Sequence, residues 1–351
     1  MNEKIFIPIN GCNEKNIRQT VLSAINNAQY PDRLLFAIFE QSLNNEYADF
    51  SDIKQNIVHV KIDFGNPLGV GLPRLFSSIL NDRKQDFVLQ IDAHMIFEKN
   101  WDVDLIKYYS IISQKYDKPI ISTYVPWWYE DEHGITKLSH DSSYIVNTNN
   151  FLGIPELPIS KLIFDEYEPN LYKKYLTVTS KSIDWSNNKN YEEHHGISGH
   201  FLFSNFDIIE NIQHDPFIDW GGDEGVFALR SWTRGYRIFS IPKAIVWHKN
   251  KWGISTDGLG VKSLDKNDWR VHTNHRKEKH INLHHNNINY GYKRMKDIFL
   301  GDYVGYWGAP DKDLLDEFQL IIGKNFNEYY DLLKEYLYKQ NDFKGLKILY
   351  E

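Results

Sequence analysis

The sequence predicts an α/β protein with a mainly parallel central sheet flanked by helices. Apolar runs of strand length alternate with amphipathic helical stretches over the first 125 residues, the order needed for a parallel sheet covered on both faces. The strand runs are nearly continuous in Ile, Leu, Val and Phe, as doubly buried strands are. At 351 residues, 42% hydrophobic and 25% charged, the chain can bury one large core.

Taken in order, "KIFIPI" from Lys4 reads as the first strand, followed by a turn at Asn10 to Asn13. "NIRQTVLSAINNA" sets Ile17, Val21, Leu22 and Ile25 at helical spacing, and Pro31 closes that helix. "LLFAIFEQS" and "NIVHVKIDF" are the second and third strands, and "GLPRLFSSILND" opens a helix. "FVLQID" is the fourth strand, "LIKYYSIISQKY" a helix and "PIISTYV" the fifth strand. From Pro126 to about Glu193 periodicity is poor, which predicts long loops and short irregular strands along one side of a cleft. "GISGHFLFS" then reads as a strand, "GDEGVFALRSWTRGY" as a helix, and an apolar strand ends at His248. The tail carries two amphipathic helices, "LLDEFQLII" and "NEYYDLLKEYLY".

The net charge of −7 argues against a general nucleic-acid binder, with one basic exception between Arg270 and Lys296. That stretch also holds His272, His275, His280, His284 and His285, without regular metal-ligand spacing. A solvated or cleft-lining surface is its plainest explanation. One cysteine, Cys12, excludes an internal disulfide framework. The start "MNEKIFIPING" has no signal-peptide pattern, and no run of about eighteen apolar residues occurs. The expectation is a cytoplasmic protein with no membrane insertion. Ten Trp and 22 Tyr exceed ordinary core needs; most serve core and surface, but clefts for sugars or bases also use such rings.

Ligands of parallel sheets collect at the carboxyl ends of the strands. The fourth strand ends there in Asp92 and His94, and residues two apart on a strand face the same side. A carboxylate and an imidazole together suit a borderline divalent cation such as Mn²⁺; an Asp–His hydrogen bond at a loop start is the structural alternative. Farther on, "DWGGDEGVFALRSWTRGY" puts Asp223 and Glu224 at a helix N-terminus, where negative charge is favoured. One acid is explained by that position, but a pair is more than a cap requires.

Asp92-Ala93-His94, then Trp220-Gly221-Gly222-Asp223-Glu224, Arg230, Thr233-Arg234-Gly235-Tyr236, Pro242 and His248 resemble a nucleotide-sugar-dependent glycosyltransferase of the Rossmann-like GT-A fold. The pattern is similar to the cytoplasmic enzymes that put N-acetylglucosamine on hydroxyproline, and to the polypeptide GalNAc-transferases. The likeness extends to "RMKDIFLGDYVGYWGAPDKDLLDEF" and covers most of the chain outside 126–195.

The resemblance implies that Asp92, His94 and His248 bind one Mn²⁺, which holds the diphosphate of a UDP-sugar. It implies a nucleotide-flanking role for Arg74; Pro8, Asn10 and Gln41, at the ends of the first two strands, fit a nucleotide pocket. Asp223 and Glu224 would line the sugar and acceptor side as catalytic residues, although Asp stands where the family has a first Glu. The division expected is a nucleotide-sugar-binding half at 1–125, acceptor-side loops with the rest of the catalytic domain at 126–250, and a C-terminal helical extension at 251–351.

The activity implied is retaining transfer of a hexosyl or pentosyl group to a hydroxyl of a protein or glycan. The basic stretch leaves a second acceptor open, a hydroxymethylated base of phage DNA. A catalytically silent nucleotide-sugar or glycan-binding protein is the alternative of another class. A hydrolase using Asp223 and Glu224 ranks last, because neighbours on a turn seldom face each other across a glycosidic bond.

Overall fold

Strand β1 (Ile5–Cys12) lies inside the main sheet because both of its faces are apolar over Ile5 to Ile9. The computed structural model describes residues 2–42, 46–63, 68–130, 133, 136–138, 148–149, 155–156, 160–167, 175–182, 190–218, 223–249, 294–295, 297–303, 306–308 and 312–322. Helix α1 (Ile17–Asn27) follows β1 and buries Ile17, Val21 and Ala24, one stripe at helical spacing. The helix stops at Asn27, and Pro31 instead opens a short 3₁₀ turn before β2 (Leu34–Ser42). Next come β3 (Asn56–Asp63), α2 (Gly71–Ile79), β4 (Phe87–Asp92), β5 (Met95–Phe97), α3 (Trp101–Ser113) and β6 (Pro119–Ser122).

Beyond β6 lie β7 (Trp127–Glu130) and β8 (Thr136–Leu138), then the antiparallel pairs β9 (Thr148–Asn149) with β10 (Pro155–Glu156) and β11 (Ser160–Tyr167) with β12 (Tyr175–Ser182). The region expected to hold only short irregular strands thus contains a regular eight-residue ladder, Ser160 to Tyr167 against Tyr175 to Ser182. β13 (Glu192–His194), β14 (Phe201–Asn205), α4 (Ile208–Asn211), α5 (Asp223–Trp232), β15 (Arg237–Ser240), β16 (Val246–Lys249) and α6 (Lys312–Ile322) complete the described elements.

The main sheet has eight strands in the order β13-β15-β6-β14-β4-β1-β2-β3. β14 is antiparallel to both its neighbours and β13 is antiparallel to β15; the other six strands share one direction. The expected mainly parallel sheet is therefore present, with one reversed strand in its interior. Because β14 enters between β4 and β6, residues beyond 200 complete the sheet begun by the first 125.

Alternation divides the core between two faces. Ile5, Ile7, Ile9, Phe36, Ile38, Leu89 and Ile91 pack with Val21, Trp101 and Leu105 of α1 and α3. Phe6, Ala37 and Val88 face the other way, with Val226, Phe227 and Leu229 of α5 and with Ile298 and Phe318. Each buried Ile, Leu, Val or Phe among them contributes about 1.5–3 kcal/mol. Asp102, itself buried, fastens the N-terminus of α3 to the chain after α1 by accepting the Gln29 and Tyr30 N–H groups at 2.8 and 2.9 Å.

A second sheet, β5-β16-β7-β8, stands at the end of the first. The apolar stretch leading to His248 is thus two strands in two sheets, β15 in the large one and β16 in the small one, parted at Ile241 to Ile245 around Pro242. Proline has no N–H for a sheet ladder, which suits the break.

The segment around Arg294 docks on the core. Arg294 Nε donates to Asp215 Oδ2 at 2.5 Å with both side chains buried, and Arg294 stacks on Phe217 and Tyr303. The same turn meets α2, where a Cβ on Gly71 would lie 2.1 Å from the Asp215 carbonyl oxygen. Arg294 is therefore committed to the fold and does not belong to a surface for polyanions. Lys277, Lys279, the histidines from His272 to His285 and the predicted helix "NEYYDLLKEYLY" lie outside the described residues.

Candidate metal centre and active site

The carboxyl end of β4 is followed by a bend rather than a straight continuation. β4 stops at Asp92, Ala93 and His94 form the bend, and Met95 starts β5 in the small sheet. The third member arrives by register: His248 on β16 pairs with Met95 on β5. Pairing beside His94 brings together residues 154 positions apart in the sequence.

Asp92, His94 and His248 offer ligand atoms that all lie within 4.8 Å of one another. His94 Nε2 and His248 Nε2 are 2.8 Å apart, and Asp92 Oδ2 is 3.4 Å from His248 Nε2 and 3.9 Å from His94 Nε2. Burial disfavours charge on Asp92, but the hydrogen bond from His248 and the neighbouring His94, His248 and Arg74 outweigh it and hold the carboxyl well below the usual range. An ionised carboxylate and two imidazoles aimed at one point fit a borderline divalent cation. Among the described residues they are the one group of three with that geometry.

His94 is tightly placed. Its carbonyl oxygen accepts from Trp128 Nε1 and from the Lys249 N–H, both at 3.0 Å. Its Nδ1 lies 3.1 Å from Glu14 Oε2, in the turn after β1. His200 stands behind His248, with ring centres 5.0 Å apart, and its Nδ1 is 2.7 Å from Ser198 Oγ. Burial, with His248 beside it, lowers its pKa to about 3, so this ring is neutral.

The second cluster is joined to the first by Arg74 of α2. Arg74 is paired closely with Asp223, at the first turn of α5, and its other amino group is 3.8 Å from Asp92. Glu224 Oε1 accepts the Gly199 N–H at 2.6 Å. Burial, with the charge of Asp223, raises the Glu224 pKa to about 7. A Cβ on Gly199 would come 2.5 Å from Arg74 Nη2, so any side chain there would have to displace the guanidinium from its place beside Asp223. Its carbonyl oxygen accepts from Gln90 Nε2 at 3.0 Å, and Gln90 Oε1 takes the Nε2–H of buried His214 at 2.5 Å.

The structure brings Asn10 to this place as well, directly across from Asp92 in the β1–β4 pairing. Its Oδ1 is buried and, among the described residues, has no hydrogen-bond partner; such an atom suits a ligand's N–H or O–H. Gln41 is buried at the end of β2, where its Oε1 accepts the Leu68 N–H at 2.9 Å. Pro8 lies two residues deeper, buried within the sheet and paired with Ala37. Trp220, Gly221 and Gly222 of the motif lie outside the described residues, whereas Arg230, Arg234, Gly235 and Tyr236 are structural. Arg230 donates to the Gln213 and Tyr306 carbonyls, and Arg234 to the Tyr306 and Gly308 carbonyls. Gly235 takes a φ of 85° after α5, and Tyr236 is buried. Sequence reasoning gave no role to Glu14, Gln90, His200 or His214: Gln90 and His200 stand inside runs read only as strands, and Glu14 and His214 stand in no motif position.

Fold and donor set define an α/β protein with a candidate divalent-metal centre at the carboxyl edge of its sheet. The chain belongs to the GlcNAc glycosyltransferase family, whose model, "Glycosyltransferase (GlcNAc)", matches residues 48–253. No curated protein matches it. Among solved structures it is similar to GalNAc-T7 with UDP, GalNAc and Mn²⁺, at 13% identity and a TM-score of 0.49, over 96% of this chain and 58% of that one. It is also similar to S. aureus TarS 1-349 with UDP-GlcNAc, at 13% identity and a TM-score of 0.43, over 90% of this chain and 71% of that one. The chain thus spans a little over half the length of GalNAc-T7. No described helix is long and apolar enough to cross a membrane.

Proposed function

We propose that the protein is a Mn²⁺-dependent, retaining glycosyltransferase that moves a sugar from a UDP-sugar to a hydroxyl of a protein or glycan. One observation carries this reading: in a chain of the GlcNAc glycosyltransferase family, Asp92, His94 and His248 converge from two sheets on a single point. A divalent ion held there would neutralise charge on a departing nucleoside diphosphate.

The chain's own groups then divide the work. Asp92, His94 and His248 hold the ion, and Asn10 beside Asp92 offers its buried Oδ1 to the nucleotide. Gln41 and Pro8 shape the strand ends on the same side, and Arg74 fixes the distance between the two clusters while adding positive charge. Asp223 is committed to Arg74, which leaves Glu224 as the carboxyl that meets the donor sugar or the acceptor hydroxyl. With a pKa of about 7, Glu224 can hold or release a proton near neutrality. Retention of configuration is what the family resemblance implies; the placement of the two acids as neighbours on one turn bears only on the hydrolase alternative, whose acid and base would flank a bond.

Transfer to DNA is less favoured, since Arg294 is buried against Asp215. The single cysteine suits a reducing cytoplasm. Incubation with Mn²⁺ and a panel of UDP-sugars, without acceptor, tests the proposal. Slow UDP release from one donor, lost with chelator and in His248→Ala, is the expected result. Binding of a donor without any release would point to the silent binding protein instead. Neither binding nor release with any donor would reject the reading.

A further inference from the structure

The turn between β1 and α1 holds a carboxylate whose position the sequence motifs do not explain. Glu14 Oε2 lies 3.1 Å from His94 Nδ1, and the two side chains are only 9% and 11% exposed. Its other oxygen, Oε1, accepts the Asn16 N–H at 3.1 Å, so the carboxylate is held by its own turn. That turn is tied to the end of β2, where the Asn13 N–H donates to the Gln41 carbonyl oxygen at 2.9 Å, and Asn13 has a φ of 50°.

We propose that Glu14 is the positioning residue of the metal centre: it fixes His94 in the Nδ1–H tautomer and turns Nε2 toward Asp92 and His248. This rests on the reading of Asp92, His94 and His248 as metal ligands. A carboxylate oxygen only accepts, so the proton between Glu14 and His94 belongs to Nδ1. A neutral ring protonated at Nδ1 presents a lone pair at Nε2, the atom that faces His248 Nε2 at 2.8 Å. The opposite tautomer would direct an N–H at the place of the cation. The backbone of His94 is pinned by Trp128 and Lys249, and the contact with Glu14 acts on the ring itself, on its rotation and on which nitrogen carries the proton. Glu14 itself approaches from the far side of the imidazole and is not among the converging ligands. A carboxylate behind a metal-ligating histidine raises its basicity, and losing such a partner typically costs about 10–100-fold in metal affinity.

The test compares the wild type, Glu14→Gln and His248→Ala by Mn²⁺ titration followed by electron paramagnetic resonance. Long-range ¹⁵N–¹H spectra of the histidine rings report the tautomer without metal. The expected results are an Nδ1–H signature for His94 in the wild type, and in Glu14→Gln a gain of the Nε2–H form with Mn²⁺ affinity weakened about 10–100-fold. His248→Ala should lose specific Mn²⁺ binding altogether. Unchanged affinity in Glu14→Gln, with binding lost in His248→Ala, would overturn the role of Glu14 and leave the metal centre standing. So would an Nε2–H signature for His94 in the wild type, a result that needs no folded variant. Equal Mn²⁺ binding by wild type and His248→Ala would overturn the metal centre, and the role of Glu14 with it.

Discussion

At Asp223 the negative charge is answered from within the chain, by a guanidinium from α2 that is nearly as buried as the carboxylate itself. At Asp92, on the same edge of the sheet, no side-chain nitrogen among the described residues approaches as closely: His248 Nε2 lies at 3.4 Å, Arg74 at 3.8 Å and His94 Nε2 at 3.9 Å. A paired buried charge fixes geometry, and breaking such a pair is costly. A carboxylate and two imidazoles converging on one point form a donor set that a cation can complete. The two clusters share Arg74, so one edge of the sheet carries a fixed strut beside the proposed metal centre.

The comparison breaks most severely if a ligand is removed from the binding centre. His248→Ala is expected to lower donor turnover by more than the about hundredfold that loss of a supporting partner costs, with little change in unfolding free energy; donor-hydrolysis assays and urea titration measure the two effects. Removing the strut should do the reverse in kind. Arg74→Met leaves Asp223 buried without its cation and is expected to destabilise the fold by about 3–5 kcal/mol in urea unfolding. A loss under about 1 kcal/mol would place Asp223 in solvent-like surroundings instead.

Gly199→Ala tests how closely strut and loop are fitted. A methyl group there meets the Arg74 guanidinium, and a loss of about 1–3 kcal/mol is expected by the same unfolding measurement.

The smallest effect is a slope. Glu224 lies against Asp223, Arg74, Asp92 and the Gly199 N–H, and its folded pKa is about 7, above the ordinary glutamate value of the unfolded chain. Between those two values the folded protein holds the proton that the unfolded chain has released. Its contribution to stability therefore falls as pH rises from about 4.5 to 7. Glu224→Gln should flatten that fall in stability measured against pH, and an unchanged slope would assign it to another group.

The frame of the molecule is legible in its sequence because parallel strands buried on both faces announce themselves. Leu34–Ser42 is one strand, as expected, and of the stripe Ile17, Val21, Leu22 and Ile25 expected for α1, Ile17 and Val21 are buried while Leu22 and Ile25 are half-buried and Ala24 takes the inner place. Asp92, His94 and His248 are legible as residue types, but strand parity is an incomplete reason for joining the first two. Strand parity suggested one face, whereas the chain bends after Asp92 and His94 is brought back by the β5–β16 register. The Arg74–Asp223 pair, 149 positions apart, and the Glu14–His94 contact, 80 apart, leave no local trace. Such contacts depend on which loops the sheet order brings together, and β14 inserted between β4 and β6 is not visible in any periodicity.

The most direct measurement of the central claim is Mn²⁺ binding at equilibrium by the wild type and by the single variants Asp92→Asn, His94→Ala and His248→Ala. One high-affinity site in the wild type, lost or greatly weakened in each variant, is the predicted result. A wild type that binds no Mn²⁺, or variants that bind it as the wild type does, would contradict the claim that these three residues form a metal centre.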